Sequence, residues 1–203
     1  IQMIENNEAD IIVGTQMISK GLDFPNINLV GVINADETLN IPDFRSREKT
    51  FQLLNQVSGR AGRSGIDSKV IIQTFNPDDI LFKFIKENDY LNFFKYEMNL
   101  RKQLSYPPYY YILGIKICSD NYELASKHAT KIANYIRNNV DKTTICLGPS
   151  TANMFKLNNV YRFQIVIKYK FDNKLYDVIK FIDNMYIEEK NVFIEIDNNP
   201  ISI

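Results

Sequence analysis

Two adjacent prolines, Pro107 and Pro108, divide the sequence into parts that must fold differently. Proline fixes its own φ and cannot donate a backbone hydrogen bond, so the pair ends the long helical pattern that precedes it. A chain of 203 residues has room for one large domain or for two small ones. We therefore predict two domains, at residues 1–104 and 105–203.

In the first part, strand patterns alternate with helix patterns. The apolar runs predict strands at residues 10–15, 27–36 and 69–75. Helical periodicity covers residues 44–60 and 78–104. One face of the second helix is apolar and consists of Phe84, Leu91, Phe94 and Met98. Strands that alternate with helices favour a parallel sheet, so we predict an α/β fold for this part.

The second part follows a different order of elements. Its strand patterns lie at residues 110–119, 143–148, 160–170 and 191–197. Two amphipathic helices are predicted at residues 121–139 and 173–189. Their apolar positions are Ala125, Ala129, Ile132 and Ile136 in the first and Leu175, Val178, Ile179, Ile182 and Met185 in the second. The order β-α-β-β-α-β predicts the split βαβ, or ferredoxin-like, arrangement, an α+β fold with an antiparallel sheet.

Composition limits what the chain can bind and where it works. Lys and Arg together number 24, as do Asp and Glu, so no overall basic field attracts nucleic acid or an anionic membrane. Cys118 and Cys146 lie in apolar runs without a partner at metal-ligand spacing, which indicates reduced core thiols. No apolar run approaches the ~18 residues of a membrane span, and no signal peptide is evident. We expect a soluble intracellular protein, and the start without Met indicates a fragment of a longer one.

The segment QVSGRAGR, from Gln56 to Arg63, presents two arginines in a glycine-rich frame. If this segment ends a helix, Arg60 and Arg63 lie on one face and can reach one shared anion. Gly59 and Gly62 leave room for a bulky ligand to approach. Two planar, permanently charged donors suit stabilisation of a phosphoryl-transfer transition state. A solvated arginine turn at a helix C-terminus gives the same pattern.

The segment VGTQMISKGLDFP predicts a phosphate site of another kind. A strand that ends at Gly14 and Thr15 and runs into a helical turn exposes backbone N–H groups that suit nucleic-acid phosphates. Lys20 adds positive charge. Gly21 allows an abrupt turn, after which Asp23 can accept hydrogen bonds from a sugar hydroxyl or an arginine. An ordinary structural turn after a strand is the alternative.

Taken together with the sequence between them, these two segments resemble motifs V and VI of the second lobe of superfamily 2 helicases. The joined run is similar in particular to the primosomal protein N′ (PriA) family of replication-restart DNA helicases. A DEAD-box RNA helicase would carry His-Arg in place of Gln56-Val57, and a RecG-type helicase would lack the PDFRS of residues 42–46. YPPY (106–109), LGPS (147–150) and YRFQIVIK (161–168) match landmarks of the PriA C-terminal domain.

The resemblance implies a partial RecA-like helicase lobe followed by the ferredoxin-like domain. By this resemblance, Arg60 and Arg63 reach the γ-phosphate of ATP, and Gln56 orients them or the attacking water. The other residues implied on the nucleotide side are Gly21, Asp23 and Gly59. The residues implied to hold the phosphates of the DNA strand are Gly14, Thr15, Gln16 and Lys20.

The same resemblance places ATP and Mg²⁺ mainly in the first helicase lobe, because no GxxxxGK[ST] occurs in these 203 residues. The family's zinc-binding insertion would also lie upstream. We therefore expect no cofactor on this piece and no ATP hydrolysis by it alone. The full-length protein is expected to be a bacterial cytoplasmic, nucleoid-associated, ATP-dependent DNA helicase that recognises stalled or branched forks and reloads the replication machinery.

The implied partners are branched or forked DNA, single-stranded DNA-binding protein, and primosome and helicase-loader proteins. An acidic, aromatic peptide tail needs an apolar pocket and a nearby cation, for which Arg162 and Lys168 are the candidates, beside Tyr161 and Phe163. Alternatively, Phe163 and Ile165 belong to the core and both cations are solvated. Two other functions stay open: a docking module for DNA or a partner without a motor role, and another superfamily 2 nucleic-acid helicase.

Overall fold

The structure is a computed structural model that describes residues 8–15, 27–58 and 69–200. The chain forms two compact units, Ile1–Met98 and Asn99–Ile203. The helices and strands of the first unit are β1 (Leu29–Val32), α1 (Asp36–Leu39), α2 (Ser46–Ser58), β2 (Lys69–Ile72), α3 (Ile80–Lys86) and α4 (Tyr90–Gln103), the last of which runs on into the second unit. Those of the second unit are β3 (Tyr111–Ser119), α5 (Tyr122–Asn139), β4 (Ile145–Leu157), β5 (Val160–Tyr169), α6 (Asn173–Tyr186) and β6 (Phe193–Asn198).

The first unit is built on a small parallel sheet. β1 and β2 pair in parallel, with Leu29 opposite Lys69 and Val32 opposite Ile72. A parallel pair needs a crossover connection, and here helices lie between the two strands in sequence. The predicted α/β fold with a parallel sheet is confirmed.

Helices α2, α3 and α4 supply the core of this unit. Phe51 of α2 stacks on Phe93 of α4 with ring centroids 4.1 Å apart and planes 3° apart. Such a stack adds about 0.5–1.5 kcal/mol to the burial of the two rings. The other buried apolar side chains of this cluster are Ala35, Leu54, Leu81 and Ile85.

The strand predicted at residues 10–15 does not form. These residues have no regular structure, and Ile11 and Val13 are 83% and 88% exposed. A strand exists only through hydrogen bonds to a neighbour, and in the described part of the chain β1 and β2 pair with each other alone. The apolar run was therefore insufficient to predict a strand here.

The single helix predicted over residues 78–104 is also wrong, because it divides into α3 and α4. Asn88 lies between them with φ of 50°, in the left-handed region that asparagine tolerates better than most residues. The carboxylate of Asp89 then accepts a hydrogen bond from the Asn92 N–H at 3.1 Å and helps α4 begin. This break changes the helical phase, so Phe93 is buried while the predicted Leu91 and Phe94 are exposed.

The second unit has the predicted β-α-β-β-α-β order. Its four strands lie in the order β4-β5-β3-β6, and every neighbouring pair is antiparallel. This is the ferredoxin-like, split βαβ arrangement, and the predicted α+β fold is confirmed.

The core of the second unit lies between one face of the sheet and the two helices. Alternate residues of β3 and β5 point to it, and the inward positions are Leu113, Ile115, Ile117, Phe163, Ile165 and Ile167. From the helices come Ala125, Ala129, Ile132, Ile136, Leu175, Val178 and Ile182. Met185 was predicted to belong to this stripe but is 39% exposed and lies outside the buried cluster. The stripe of α6 ends instead on Tyr186, whose hydroxyl lies 2.7 Å from Nδ1 of His128.

Strand β4 is longer than the sequence predicted, because Gly148-Pro149 does not end it. Gly148 has φ of 94°, and a Cβ there would lie 2.8 Å from the carbonyl oxygen of Gln164. The chain continues beside β5 with register shifts, one of them between Leu147 and Ser150, on either side of Gly148-Pro149. The predicted end of the strand is therefore a bulge within an edge strand.

Candidate functional site

Helix α2 presents the candidate Gln56 on its solvent side. Thr50, Phe51 and Leu54 are buried and fix the inner face of the helix, whereas Gln56 is exposed near its end. The candidates Gly59, Arg60 and Arg63 follow in the sequence but lie outside the described residues.

The candidates for binding DNA phosphates are described only in part. Gly14 and Thr15 are exposed and lie at the end of a segment without regular structure. Gln16 and Lys20 lie outside the described residues, as do Gly21 and Asp23, which were predicted for the nucleotide side. Their roles remain predictions.

A turn held by one aspartate leads into α2. The Asp43 carboxylate accepts three hydrogen bonds from Arg45, from its backbone N–H, Nε and Nη2, each at 2.8 Å. The Asp43 side chain is 2% exposed. Burial alone would raise the pKa of Asp43, but the hydrogen bonds and charge of Arg45 outweigh burial and hold that pKa below its ordinary value.

A second ion pair joins α2 to the start of α3. Arg47 donates from Nη2 to Oδ1 of Asp79 at 2.6 Å and from Nη1 to Oδ2 at 3.1 Å. Burial opposes the charged form of both groups. The hydrogen bonds and mutual attraction of the pair outweigh burial, so the pKa of Asp79 is lowered and that of Arg47 is raised.

The segments that follow β1 and β2 are joined through Asp36. This buried carboxylate accepts hydrogen bonds from the Thr74 hydroxyl and from the Phe75 N–H, both at 2.9 Å. Ligand sites of parallel sheets lie beyond the carboxyl ends of the strands, where these residues are. Sequence reasoning missed all three aspartates, although Asp36 and Asp43 occupy the stretch between the two predicted phosphate sites and Asp79 lies at the start of a predicted helix.

The two cations predicted for partner binding have different environments. Lys168 is 6% exposed, donates to the Leu104 carbonyl at 2.9 Å and lies 3.4 Å from the centroid of the Tyr106 ring. Burial lowers the pKa of its ammonium. Lys168 is therefore a structural contact and not an accessible cation, because the segment at residues 104–106 covers this end of β5. Arg162 is half-buried, opposite Cys118 in the register, and its partner-binding role stays a prediction.

The aromatic neighbours of Arg162 point toward the helices. Phe163 and Ile165 belong to the core, as the alternative interpretation predicted. Tyr161 packs near Tyr122 and Phe155, with ring centroids 5.7 and 5.6 Å away. The exposed ammonium of Lys156 lies 4.6 Å from the centroid of the Tyr161 ring.

The face of this sheet opposite the core packs against neither α5 nor α6. By alternation, the positions of the central strands on it are Ile112, Gly114, Lys116 and Cys118 of β3 and Arg162, Gln164, Val166 and Lys168 of β5. A shallow groove with a volume of about 60 Å³ lies at Gly114 and is lined by Lys116, Gln164, Glu195, Asp197 and Pro200. Sheet faces that stack bases carry aromatic residues on the central strands, whereas this face offers charges and an amide. It is suited to polar, salt-sensitive contacts.

The two cysteine side chains are shielded from solvent, since Cys118 is buried and Cys146 is half-buried. Cys118 and Cys146 are both free, and burial raises the pKa of each thiol. Within residues 8–15, 27–58 and 69–200, no three His, Cys, Asp or Glu side chains are grouped to hold a metal ion. The helices of the same ranges are all too short or too polar to cross a membrane.

Comparison with known protein families identifies the two parts of the chain separately. Residues 1–65 match the helicase conserved C-terminal domain, and residues 102–201 match the primosomal protein N C-terminal domain. The first match covers α2 with Gln56, and the second covers the whole ferredoxin-like sheet.

Individual relatives carry the same combination. The chain is 49% identical over 196 residues to the replication restart protein PriA of Bacillus subtilis, a match that covers 95% of this chain and 24% of that protein. Proteins of the same name from Borreliella burgdorferi and Synechocystis are 38% and 37% identical across 100% of this chain, which covers 31% and 24% of their lengths. The chain thus spans less than a third of the length of these relatives.

Proposed function

Because this chain belongs to the PriA family of replication restart proteins, we propose that the full-length protein is an ATP-dependent DNA helicase that restarts replication at stalled or branched forks. The observation that carries the proposal is the order of the two matched domains in one chain, a helicase C-terminal domain followed by the primosomal C-terminal domain. The exposed position of Gln56 at the end of α2 supports it.

The proposed chemistry belongs to the loop that follows α2. Arg60 and Arg63 stabilise the negative charge that develops on the γ-phosphate of ATP, and Gln56 orients them or the attacking water. Gly21, Asp23 and Gly59 contribute to the nucleotide side. ATP and Mg²⁺ bind mainly to the first helicase lobe, and zinc binds in the family's upstream insertion. This chain supplies the arginines and does not hydrolyse ATP alone.

The proposed DNA contacts couple that chemistry to movement. Thr15 and Lys20, with the backbone of Gly14 and Gln16, hold phosphates of the DNA strand. Closure of the two lobes on ATP then shifts these contacts relative to the first lobe, which moves the protein along DNA. The C-terminal domain binds branched DNA and single-stranded DNA-binding protein, and Arg162 is the candidate cation for the acidic tail of that protein. Primosome and helicase-loader proteins are the further partners.

The decisive experiment compares ATP hydrolysis by the full-length wild-type protein and by Arg63→Ala, with forked DNA, linear duplex, RNA or no nucleic acid. We expect stimulation by forked DNA, a loss of about 10³-fold or more in kcat for Arg63→Ala, and nucleotide binding close to wild type. Lys83→Ala, which removes an exposed lysine of α3, is the matched control.

Each possible failure points to a different conclusion. Turnover that survives Arg63→Ala contradicts the role of the arginine. Turnover that ignores nucleic acid contradicts the helicase itself, and stimulation by RNA over forked DNA indicates an RNA helicase. The charged side chains on the sheet face opposite α5 and α6 favour one further candidate function, a docking module for DNA or a partner protein without its own motor role.

A further inference from the structure

Arg47 is a charged residue on the core-facing side of α2. It precedes the buried Phe51 by one helical turn and therefore lies on the same stripe. It also stands in the first turn of the helix, where the positive end of the helix dipole disfavours a cation. Neither the packing stripe nor the helix dipole explains an arginine at this position, so its specific contacts must.

Those contacts connect three helices of the first unit. The Arg47 guanidinium forms the two-pronged pair with Asp79 described above and lies 5.7 Å from the centroid of the Tyr96 ring in α4. The same Asp79 carboxylate accepts the Leu81 N–H at 2.8 Å and so caps the start of α3. The orientation of the start of α2 is thus fixed to the start of α3 and to the middle of α4.

We propose that the Arg47–Asp79 pair is a positioning pair that sets the tilt of α2, and with it the placement of Gln56 near the end of that helix. This inference rests on the proposed function. α2 has 13 residues and spans about 18 Å, so a tilt of about 5° at its start moves its other end by about 1.5 Å. Misplacing a catalytic group by about 1 Å can cost about 10²-fold in rate.

The test uses fork-stimulated ATP hydrolysis by the full-length protein and three substitutions of the pair. For Arg47→Met and for Asp79→Asn we expect kcat to fall about tenfold or more while KM for ATP changes less than about threefold, because the altered interactions are those of the transition state. Asparagine still caps a helix, so Asp79→Asn removes the negative charge and the hydrogen bond from Arg47 Nη1 and keeps the start of α3. Arg47→Lys keeps the positive charge but cannot form two parallel hydrogen bonds to Asp79, so it should recover part of the activity.

Two comparisons separate positioning from stability. The double substitution Arg47→Met with Asp79→Asn should be no slower than either single one, since both remove the same interaction. Lys49→Met, which removes an exposed cation from the same helix, should keep wild-type kcat. All rates are measured well below the lowest melting temperature of the set.

Hydrogen exchange of the 203-residue chain gives a second readout that does not depend on activity. Amides of α2 should exchange about tenfold faster in Arg47→Met than in wild type, while those of β3 and β5 stay unchanged. Wild-type kcat in Arg47→Met, a loss of kcat that only tracks unfolded protein, or unchanged exchange in α2 would each overturn the inference. Absence of ATP hydrolysis in the wild-type protein would contradict the proposed function alone, and exchange would then decide on the pair.

Discussion

At the scale of single residues, four aspartates hold chain segments together through their carboxylates. Asp36 joins the segments after β1 and β2, Asp43 closes the turn before α2, and Asp79 binds Arg47 and caps α3. Asp172 does the same in the second unit, where it caps α6 by accepting the Lys174 and Leu175 N–H groups. Charge-assisted hydrogen bonds of this kind are about twice as strong as neutral ones. Each aspartate therefore stabilises its contacts more than a neutral side chain would.

Asp172 provides a test of this role by pH. Its carboxylate also accepts hydrogen bonds from the Asp141 N–H and from the Thr144 hydroxyl. Burial would raise the pKa of Asp172, but these hydrogen bonds outweigh burial and lower it. A lowered folded-state pKa contributes stability that is complete above the unfolded pKa of 3.8 and disappears as pH falls through the folded value.

We therefore expect Asp172→Asn to lower the free energy of unfolding at neutral pH by about 1–2 kcal/mol, because asparagine keeps the cap but loses the charge. The difference from wild type should shrink as pH falls below 3.8, measured by urea unfolding at several pH values. Asp183→Asn, at an exposed position of α6, is the control. A difference that is independent of pH would contradict the assignment.

At the scale of elements, β4 continues past residue 148, where the sequence pattern predicted its end. Arg137 of α5 donates to the Gly148 carbonyl, and β4 runs on to Leu157 beside β5. Only glycine suits position 148, because its φ is positive and the Gln164 carbonyl oxygen occupies the space a Cβ would need. β4 is an edge strand, and bulges protect such edges from pairing with another chain.

Gly148→Ala should destabilise the second unit by about 2 kcal/mol or more, because it combines an unfavourable φ with a backbone clash. Gly114→Ala in the same sheet is the matched control. The nearest atom to a Cβ at Gly114 is Cγ of Pro200 at 3.5 Å, an ordinary contact. Thermal or urea unfolding followed by circular dichroism measures both. Equal stability of the two variants would show that the local geometry at Gly148 is unimportant.

At the scale of the whole molecule, a chain with equal numbers of positive and negative residues must bind its partners through local arrangements. The ferredoxin-like unit carries Lys116 and Arg162 on the sheet face opposite α5 and α6. Lys116 pairs with Glu195 at 3.5 Å in an exposed position, which contributes little to stability. Arg162 is thus the cation of this face that we assign to partner binding, in place of Lys168.

We expect the 203-residue chain to bind a labelled peptide from the acidic tail of single-stranded DNA-binding protein saturably, and more weakly at high salt. Arg162→Ala should weaken binding about tenfold, the size of one lost charge-assisted hydrogen bond. Lys131→Ala, an exposed lysine of α5, is the control. Absence of saturable binding by the wild-type chain would contradict the assignment of this face.

The sequence alone was sufficient to predict the strands and helices that depend on local periodicity and to identify the family. The alternation of β3 and β5 and the apolar stripe of α5 predicted the antiparallel sheet and its two helices, because a period of two or of 3.6 residues encodes which side is buried. The run from Gly14 to Arg63 identified the helicase family, since it fixes residue types and spacing together.

Tertiary structure decided the features that depend on distant partners. The apolar run at residues 10–15 forms no strand, because strands need a hydrogen-bonded neighbour that no local pattern supplies. Lys168 is buried because residues 104–106 cover it, and Arg47 is paired because Asp79, 32 positions away, caps another helix. A sequence pattern records the preference of a residue for burial or exposure, whereas the identity of its partner follows only from how the chain folds back on itself.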